Sequence, residues 1–126
     1  MHSRRNFQRR PQVPGVEKVD GFFRLSEEAF LRDFAGDIEP ARARALCAVQ
    51  GWGTSELVTA KTSTAAWKVK PCWYQVSTLD RTINPDLERF LTGRMKATTI
   101  ELASSHVSLL SHSKEVAELI LKAAGR

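Results

Sequence analysis

The spacing of apolar residues along the chain changes in character near residue 70. Before that point, a short extended segment is predicted over residues 19–25, followed by a helix with Ser26 as its N-cap. The apolar stripe of that helix is Phe30, Leu31 and Phe34. A second helix is predicted over residues 37–50, with Asp37 as N-cap and Pro40 in its first turn. Residues 16–69 are therefore predicted to be mainly helical.

From residue 70 onward the pattern alternates between strands and amphipathic helices. Residues 71–78, PCWYQVST, are uncharged and are typical of a strand buried on both faces of a parallel sheet. Asn84 then starts a helix, and residues 97–102, ATTIEL, form a second strand. After a loop, a last helix is capped by Ser111 or Ser113. The faces predicted to point inward are Leu87, Phe90, Leu91 and Met95 in the first helix and Val116, Leu119, Ile120 and Ala123 in the last.

This order of elements predicts an α/β fold with three segments. Residues 1–15 form a disordered basic tail, residues 16–69 a helical segment, and residues 70–126 a βαβα unit with parallel strands. The 126 residues are one domain's worth of chain. No apolar run approaches the ~20 residues of a membrane span, so we expect no membrane insertion and a cytoplasmic location. Cys47 and Cys72 have neither disulfide nor metal-ligand spacing and are predicted to be small buried residues.

The net charge of +5 raises the alternative of nucleic-acid binding. Four of the basic residues, Arg4, Arg5, Arg9 and Arg10, lie in the first ten positions, and without them the net charge falls to +1. The basicity therefore belongs to the tail and not to a folded face. Such a tail can bind phosphate backbones without sequence specificity, so a basic-tail nucleic-acid binder stays an alternative function.

Two side chains with catalytic potential follow the two predicted strands. Asp80 lies just past the first strand, and His106 lies just past the second. Parallel sheets place their active sites at the carboxyl ends of their strands, where a carboxylate can orient an imidazole and stabilise its protonated form. His112 is a rival for the base and Asp86 a rival for the acid, but both lie at helix starts, where capping or dipole roles explain them.

The residues that carry this pair also resemble a known family. The segment from WYQVSTLDRTINPDLERF through TIELASSHVSLLSHSKEVAELI is similar to the C-terminal part of the α/β-hydrolase fold. The upstream segment VDGFFRLSEEAFLRDFAGDIEPARARALCAVQ resembles the cap helices of small bacterial esterase-like members, and AWKVKPCWYQV looks like the join from cap to core. The resemblance covers roughly residues 16–124 and makes residues 16–69 a cap-like segment.

The resemblance implies a serine-type hydrolase that acts on a small ester or related carbonyl substrate without metal or organic cofactor. Asp80 would be the acid of the triad and His106 its base. The aromatic residues Trp52 and Trp67 of the cap-like segment would line the substrate pocket, although core packing is the simpler role for aromatic residues.

The chain departs from the family pattern in one essential respect. The nucleophile motif G-x-S-x-G is missing, and the nearest match, GWGTSEL, has Leu57 where the second glycine belongs after Ser55. We therefore expect a truncated form that is inactive in isolation. The alternative is a non-enzymatic remnant or interaction protein that self-associates through an exposed strand edge.

Overall fold

Two small sheets organise the fold, which we describe from a computed structural model over residues 15–126. An antiparallel sheet contains β1 (Val16–Val19), β2 (Phe22–Leu25) and β3 (Gly53–Thr54) in that order. A parallel sheet contains β4 (Trp73–Ser77) and β5 (Thr98–Leu102). The parallel pair predicted from the sequence is therefore confirmed.

Five α-helices and three other helical turns connect and cover the strands within residues 15–126. The α-helices are α1 (Glu27–Ala29), α2 (Pro40–Ala48), α3 (Pro85–Met95), α4 (Ser108–Ser111) and α5 (Ser113–Ala123). A π-helical turn over Phe30–Phe34 continues α1, and 3₁₀ turns occupy Ser55–Val58 and Ala66–Lys68. Because α3 joins β4 to β5 and α5 follows them, the order βαβα predicted from residue 70 is confirmed.

The antiparallel sheet adds strands that the sequence analysis did not predict. Residues 19–25 were expected to be one extended segment, but the chain turns back at Asp20 and Gly21, whose φ angles are 48° and 81°. Two consecutive positive φ angles define the tight hairpin turn that Asp-Gly favours. β1 and β2 therefore form a hairpin, in which Val16 pairs with Leu25.

Two of the predicted helix starts are confirmed. The Ser26 hydroxyl accepts a hydrogen bond from the Ala29 N–H at 3.3 Å, and the Asn84 side chain accepts one from the Asp86 N–H at 2.9 Å. Each bond satisfies one of the N–H groups that a helix start leaves without an intrahelical partner.

Asp37 is not the N-cap of α2, so that prediction is wrong. Pro40 occupies the first helical position, which makes Glu39 the capping residue. The Glu39 carboxylate accepts hydrogen bonds from the N–H groups of Ala41 and Arg42, both at 3.0 Å. The carboxylate of Asp37 is thus left for another partner.

The predicted caps of α5 are also wrong. His112 occupies the N-cap position, without a capping bond from its side chain, and Ser113 is the first helical residue. The loop predicted before this helix contains the short helix α4, which ends at Ser111.

The core joins the segment before residue 70 to the loop after β5. Its buried members are Phe30, Ala35, Ala43 and Val107, and partly buried side chains such as Leu25, Phe34, Leu46 and Leu110 pack against them. Cys47 packs at the margin of this cluster, and both cysteines are free and only partly buried. Because Val107 follows His106, this core anchors the chain beside the candidate base.

β4 is buried only at its carboxyl end, which corrects the prediction of burial on both faces. Val76 and Ser77 are buried, whereas Trp73 is 36% exposed. The bonds to β5 use groups such as the Thr78 N–H and the Cys72 carbonyl. In a parallel pair the intervening N–H groups point to the opposite edge, and no strand covers that edge within residues 15–126.

The most buried residues of α3 are polar and lie outside the predicted apolar stripe, whose members Leu87, Leu91 and Met95 are partly buried. Phe90 is 51% exposed, whereas Glu88 and Thr92, one turn apart, are buried. In α5, Leu119 is buried as predicted, but Ile120 is largely exposed and Ala123 is exposed too. Apolar periodicity is therefore wrong for Phe90, Ile120 and Ala123, whereas the other predicted residues of the two stripes are buried or partly buried.

Glu88 is a buried carboxyl group with incomplete hydrogen bonding. It is 4% exposed, and its Oε2 accepts a long bond of 3.4 Å from the Ser77 N–H at the uncovered edge of β4. Its Oε1 has no hydrogen-bond partner among residues 15–126. Burial raises the pKa of Glu88, against the opposing effect of the Ser77 bond, and the Asp80 carboxylate adds to the increase.

We predict that Glu88→Gln stabilises the fold at pH 8 by about 1 kcal/mol and has little effect near pH 4.5. A carboxyl group whose pKa is raised by folding contributes stability below its unfolded pKa and loses it as the pH rises through the folded pKa. The glutamine amide does not ionise, so the variant does not lose this stability as the pH rises. Urea unfolding of the parent and of Glu88→Gln at pH 8 and at pH 4.5 measures the difference in the free energy of unfolding.

Glu118→Gln on the exposed surface of α5 is the control and should leave stability unchanged at both pH values. A Glu88→Gln variant that is less stable than the parent at pH 8 would contradict a buried carboxyl group with incomplete hydrogen bonding.

Candidate functional site

Asp80 and His106 meet at the carboxyl ends of the parallel strands. The register pairs Ser77 of β4 with Leu102 of β5, so the loops that follow start side by side. His106 Nδ1 lies 2.7 Å from Asp80 Oδ2. Since a carboxylate oxygen accepts, Nδ1 is the donor in this bond. The structure thus brings the two predicted residues into direct contact.

The Asp80 carboxylate is held in one orientation by backbone donors. Its Oδ1 accepts hydrogen bonds from the N–H groups of Thr82 at 2.7 Å and Ile83 at 2.9 Å. The side chain is 2% exposed. Oδ1 is occupied by these turn contacts, which leaves Oδ2 aimed at the imidazole of His106.

His106 presents its second nitrogen to the surroundings. Its side chain is 29% exposed, and within residues 15–126 Nε2 makes no hydrogen bond. The bond to Asp80 raises the pKa of His106, burial opposes that increase, and the Asp80 charge adds to it. The ring is therefore a base of increased proton affinity with one nitrogen fixed and the other open.

The ring of Phe34 packs against the His106 imidazole. The ring centroids of Phe34 and His106 are 4.9 Å apart with planes inclined by 41°, and those of Phe30 and Phe34 are also 4.9 Å apart. Phe34 ends the π-helical turn, a geometry that is rare and is frequently found at functional sites. The segment before residue 70 therefore forms a wall beside the imidazole.

Asp37 binds the loop that carries His106. Its Oδ2 accepts the Ser105 N–H at 2.9 Å, and its Oδ1 accepts the Ser105 hydroxyl. Although burial opposes the change, these bonds lower the pKa of Asp37. The residue that the sequence suggested as a helix cap therefore holds the neighbour of the candidate base.

Asp33 contacts the loop that carries Asp80. Its Oδ1 lies 3.0 Å from the Arg81 Nε, and its backbone carbonyl accepts the Thr82 hydroxyl at 3.1 Å. The buried Asp33 carboxylate also accepts hydrogen bonds from Arg32, which lower its pKa. The turn over Phe30–Phe34 thus contacts both loops of the site.

A buried polar network underlies the strand ends. The Ser104 hydroxyl and the Gln75 amide both donate to the Ser77 hydroxyl at 3.1 Å, and the Ser108 hydroxyl donates to the Gln75 carbonyl oxygen. The sequence pattern did not predict this network. The only signal for it was the group of serines around His106, which was assigned to a loop.

The two rival residues lie outside the site. His112 contacts the Ala103 carbonyl at 3.3 Å and Glu115 at 3.5 Å. Asp86 pairs with Arg89 at 3.0 Å on the exposed side of α3. Neither residue bonds to the Asp80–His106 pair.

The predicted pocket residues Trp52 and Trp67 have cationic partners. The Arg24 guanidinium lies 4.5 Å from the Trp52 ring centroid. The Arg94 guanidinium and the Lys68 ammonium lie 5.1 Å and 5.7 Å from the Trp67 ring centroid. In the described part of the chain, no hydrogen bond or ring contact joins either tryptophan to Asp80 or His106. Their role in a pocket stays a prediction.

Ser55 forms no hydrogen bond with His106. Its hydroxyl donates to the Gly21 carbonyl at 2.7 Å in the antiparallel sheet.

No cluster of three metal-binding side chains occurs among residues 15–126. None of the helices in the same range is long and apolar enough to cross a membrane.

The comparison with known proteins supports one family. Searches of curated proteins and of solved structures find no significant match. A sequence model described as the alpha/beta hydrolase family matches residues 2–119, which is most of the chain. The parallel strands and the helices between and after them are consistent with part of that fold. The chain therefore belongs to the alpha/beta hydrolase family.

Proposed function

We propose that Asp80 and His106 are the acid and base of a serine-type hydrolytic site for a small ester or related carbonyl substrate. The single observation that carries this proposal is the 2.7 Å bond from Nδ1 to a buried carboxylate, with Nε2 left open. In this arrangement residues 70–126 supply the catalytic pair of the core, and residues 16–69 are the cap-like segment beside it.

The proposed mechanism is acyl transfer. Nε2 of His106 takes the proton of a nucleophilic hydroxyl as its oxygen attacks the substrate carbonyl carbon. Asp80 stabilises the imidazolium, which then gives the proton to the leaving group. A water molecule, deprotonated by the same nitrogen, releases the acyl group. This chemistry moves only protons and an acyl group, so it calls for no cofactor.

Residues 15–126 place no hydroxyl on Nε2, and the chain has no G-x-S-x-G motif. We therefore propose that the chain by itself is a truncated form without hydrolytic turnover. Loss of the nucleophile lowers turnover about 10⁶-fold in enzymes with this mechanism.

A second candidate function is self-association through β4. Its edge opposite β5 has no strand partner within residues 15–126, and Trp73 at its start is partly exposed. The strand β5 is less suited to pairing with a second copy, because it contains the charged residue Glu101, which forms an ion pair with Arg89. The basic-tail alternative stays a prediction, since Arg4, Arg5, Arg9 and Arg10 lie outside the described residues.

We predict that Asp80→Asn lowers the pKa of His106, because the bond and charge that raise it are lost. NMR titration of the imidazole, assigned with His106→Gln, measures the change. A raised pKa also means that the pair stabilises the fold below the unfolded histidine pKa of about 6.5 and ceases to do so as the pH rises through the folded value.

Asp86→Asn is the matched control, since it removes an exposed carboxylate and should leave the His106 titration in place. An unchanged His106 pKa in Asp80→Asn would refute the acid–base pair.

We predict that a fluorophosphonate probe labels the purified chain no more than it labels His106→Ala. The probe reacts with an activated serine, and no serine of residues 15–126 is bonded to Nε2. Labelling together with hydrolysis of a nitrophenyl ester, both abolished by His106→Ala, would show that the chain supplies its own nucleophile.

We predict that the chain forms dimers or larger species at micromolar concentration and that Trp73→Lys shifts it toward the monomer. A charge near the open edge of β4 disfavours strand pairing. Light scattering after gel filtration reports the mass. The control is Leu109→Lys, which places the same charge on an exposed apolar position of α4. Equal effects of the two variants, or a monomeric parent, would contradict pairing through β4.

A further inference from the structure

We infer that residues 33–37 position the catalytic pair by holding both of its loops, with Asp33 and Asp37 as the positioning residues. This inference rests on the proposed function of Asp80 and His106. It assigns the cap-like segment a task in addition to covering the site, namely that the geometry of the base depends on where this segment sits. Hereafter we call residues 33–37 the clamp.

One arm of the clamp holds the base. Asp37 receives both the N–H and the hydroxyl of Ser105, the residue immediately before His106. A carboxylate that accepts two bonds from one residue fixes that residue in position and orientation. Phe34 packs on the imidazole itself, with the two ring centroids 4.9 Å apart. The backbone before the ring and the ring are therefore both in contact with the clamp.

The other arm holds the acid. The Arg81 guanidinium, directly after Asp80, lies 3.0 Å from Asp33 Oδ1, and the Thr82 hydroxyl donates to the Asp33 carbonyl. Thr82 also donates its backbone N–H to Asp80 at 2.7 Å. Thr82 thus joins the carboxylate of the pair to the clamp through its N–H and its hydroxyl.

The clamp is itself anchored in the core. Ala35, at its centre, is 1% exposed and donates its N–H to the Phe30 carbonyl at 2.8 Å, which closes the π-helical turn. Asp33 also receives hydrogen bonds from Arg32. Because the clamp is anchored, its contacts restrain the loops, and small displacements of catalytic groups strongly reduce reaction rates.

The alternative is that these contacts only attach one segment to another. Attachment alone predicts a loss of stability with no change at the imidazole. Positioning predicts that the Asp80–His106 bond weakens when an arm is removed, so that the His106 pKa falls toward its ordinary value. The titration of His106 therefore separates the two roles, which thermal stability cannot do.

The test is a double-mutant cycle in the full chain with Asp37→Ala, Ser105→Ala and both together. We expect each single variant to lower the His106 pKa in an NMR titration, with the smaller effect in Ser105→Ala, which keeps the backbone N–H bond to Asp37. The double variant should add little to Asp37→Ala, because that substitution already removes both bonds. Ser105→Ala leaves every charge in place, so its effect cannot come from lost electrostatics. Ser105→Thr keeps the hydroxyl and should retain the parent value. Asp33→Asn tests the second arm with the same readout.

Asp86→Asn serves again as the control without clamp contacts. A His106 pKa that stays at the parent value in Ser105→Ala, Asp37→Ala and Asp33→Asn would overturn the clamp. If Asp37→Ala fails to fold, the comparison of Ser105→Ala with Ser105→Thr decides alone. If Asp80→Asn lowers the pKa while the clamp variants do not, only the clamp is wrong. If Asp80→Asn has no effect either, the proposed catalytic pair itself is wrong.

Discussion

The hydrogen bond between His106 Nδ1 and Asp80 Oδ2 is the interaction on which the functional interpretation depends. It joins two residues that are 26 positions apart in sequence and lie in the loops after neighbouring strands. A short bond to a buried carboxylate selects the tautomer with the proton on Nδ1 and leaves Nε2 as the basic nitrogen. The parallel pairing of the two strands makes this meeting possible, because it brings their carboxyl ends to one edge.

The strands alone do not hold the pair in place. The two loops leave a sheet of only two strands, and besides the polar network at the strand ends they contact the segment before residue 70. Core packing through Val107, the ring of Phe34, and the carboxylates of Asp33 and Asp37 all converge on them. The segment before residue 70 and the Asp80–His106 pair are therefore parts of one structural unit in residues 15–126.

The parts of this arrangement that follow from local pattern could be predicted from the sequence. Strand-end placement identified Asp80 and His106, and the Asp-Gly turn of the hairpin was a visible signal that the analysis did not use. Asp37 could not be assigned correctly, because its partner is 68 residues away while a helix start lies next to it. The burial of Glu88 and the exposure of Phe90 in α3 were not predicted, since periodicity favours an apolar residue over a glutamate.

The tautomer of His106 tests the account most directly, because the family alone does not determine it in this chain. Nitrogen-15 chemical shifts of the imidazole, measured above its pKa in a sample assigned with His106→Gln, report which nitrogen carries the proton. The account predicts a protonated Nδ1 and an unprotonated Nε2. A proton on Nε2, or rapid exchange between the two forms as in a free histidine, would contradict the bond to Asp80 and the function proposed from it.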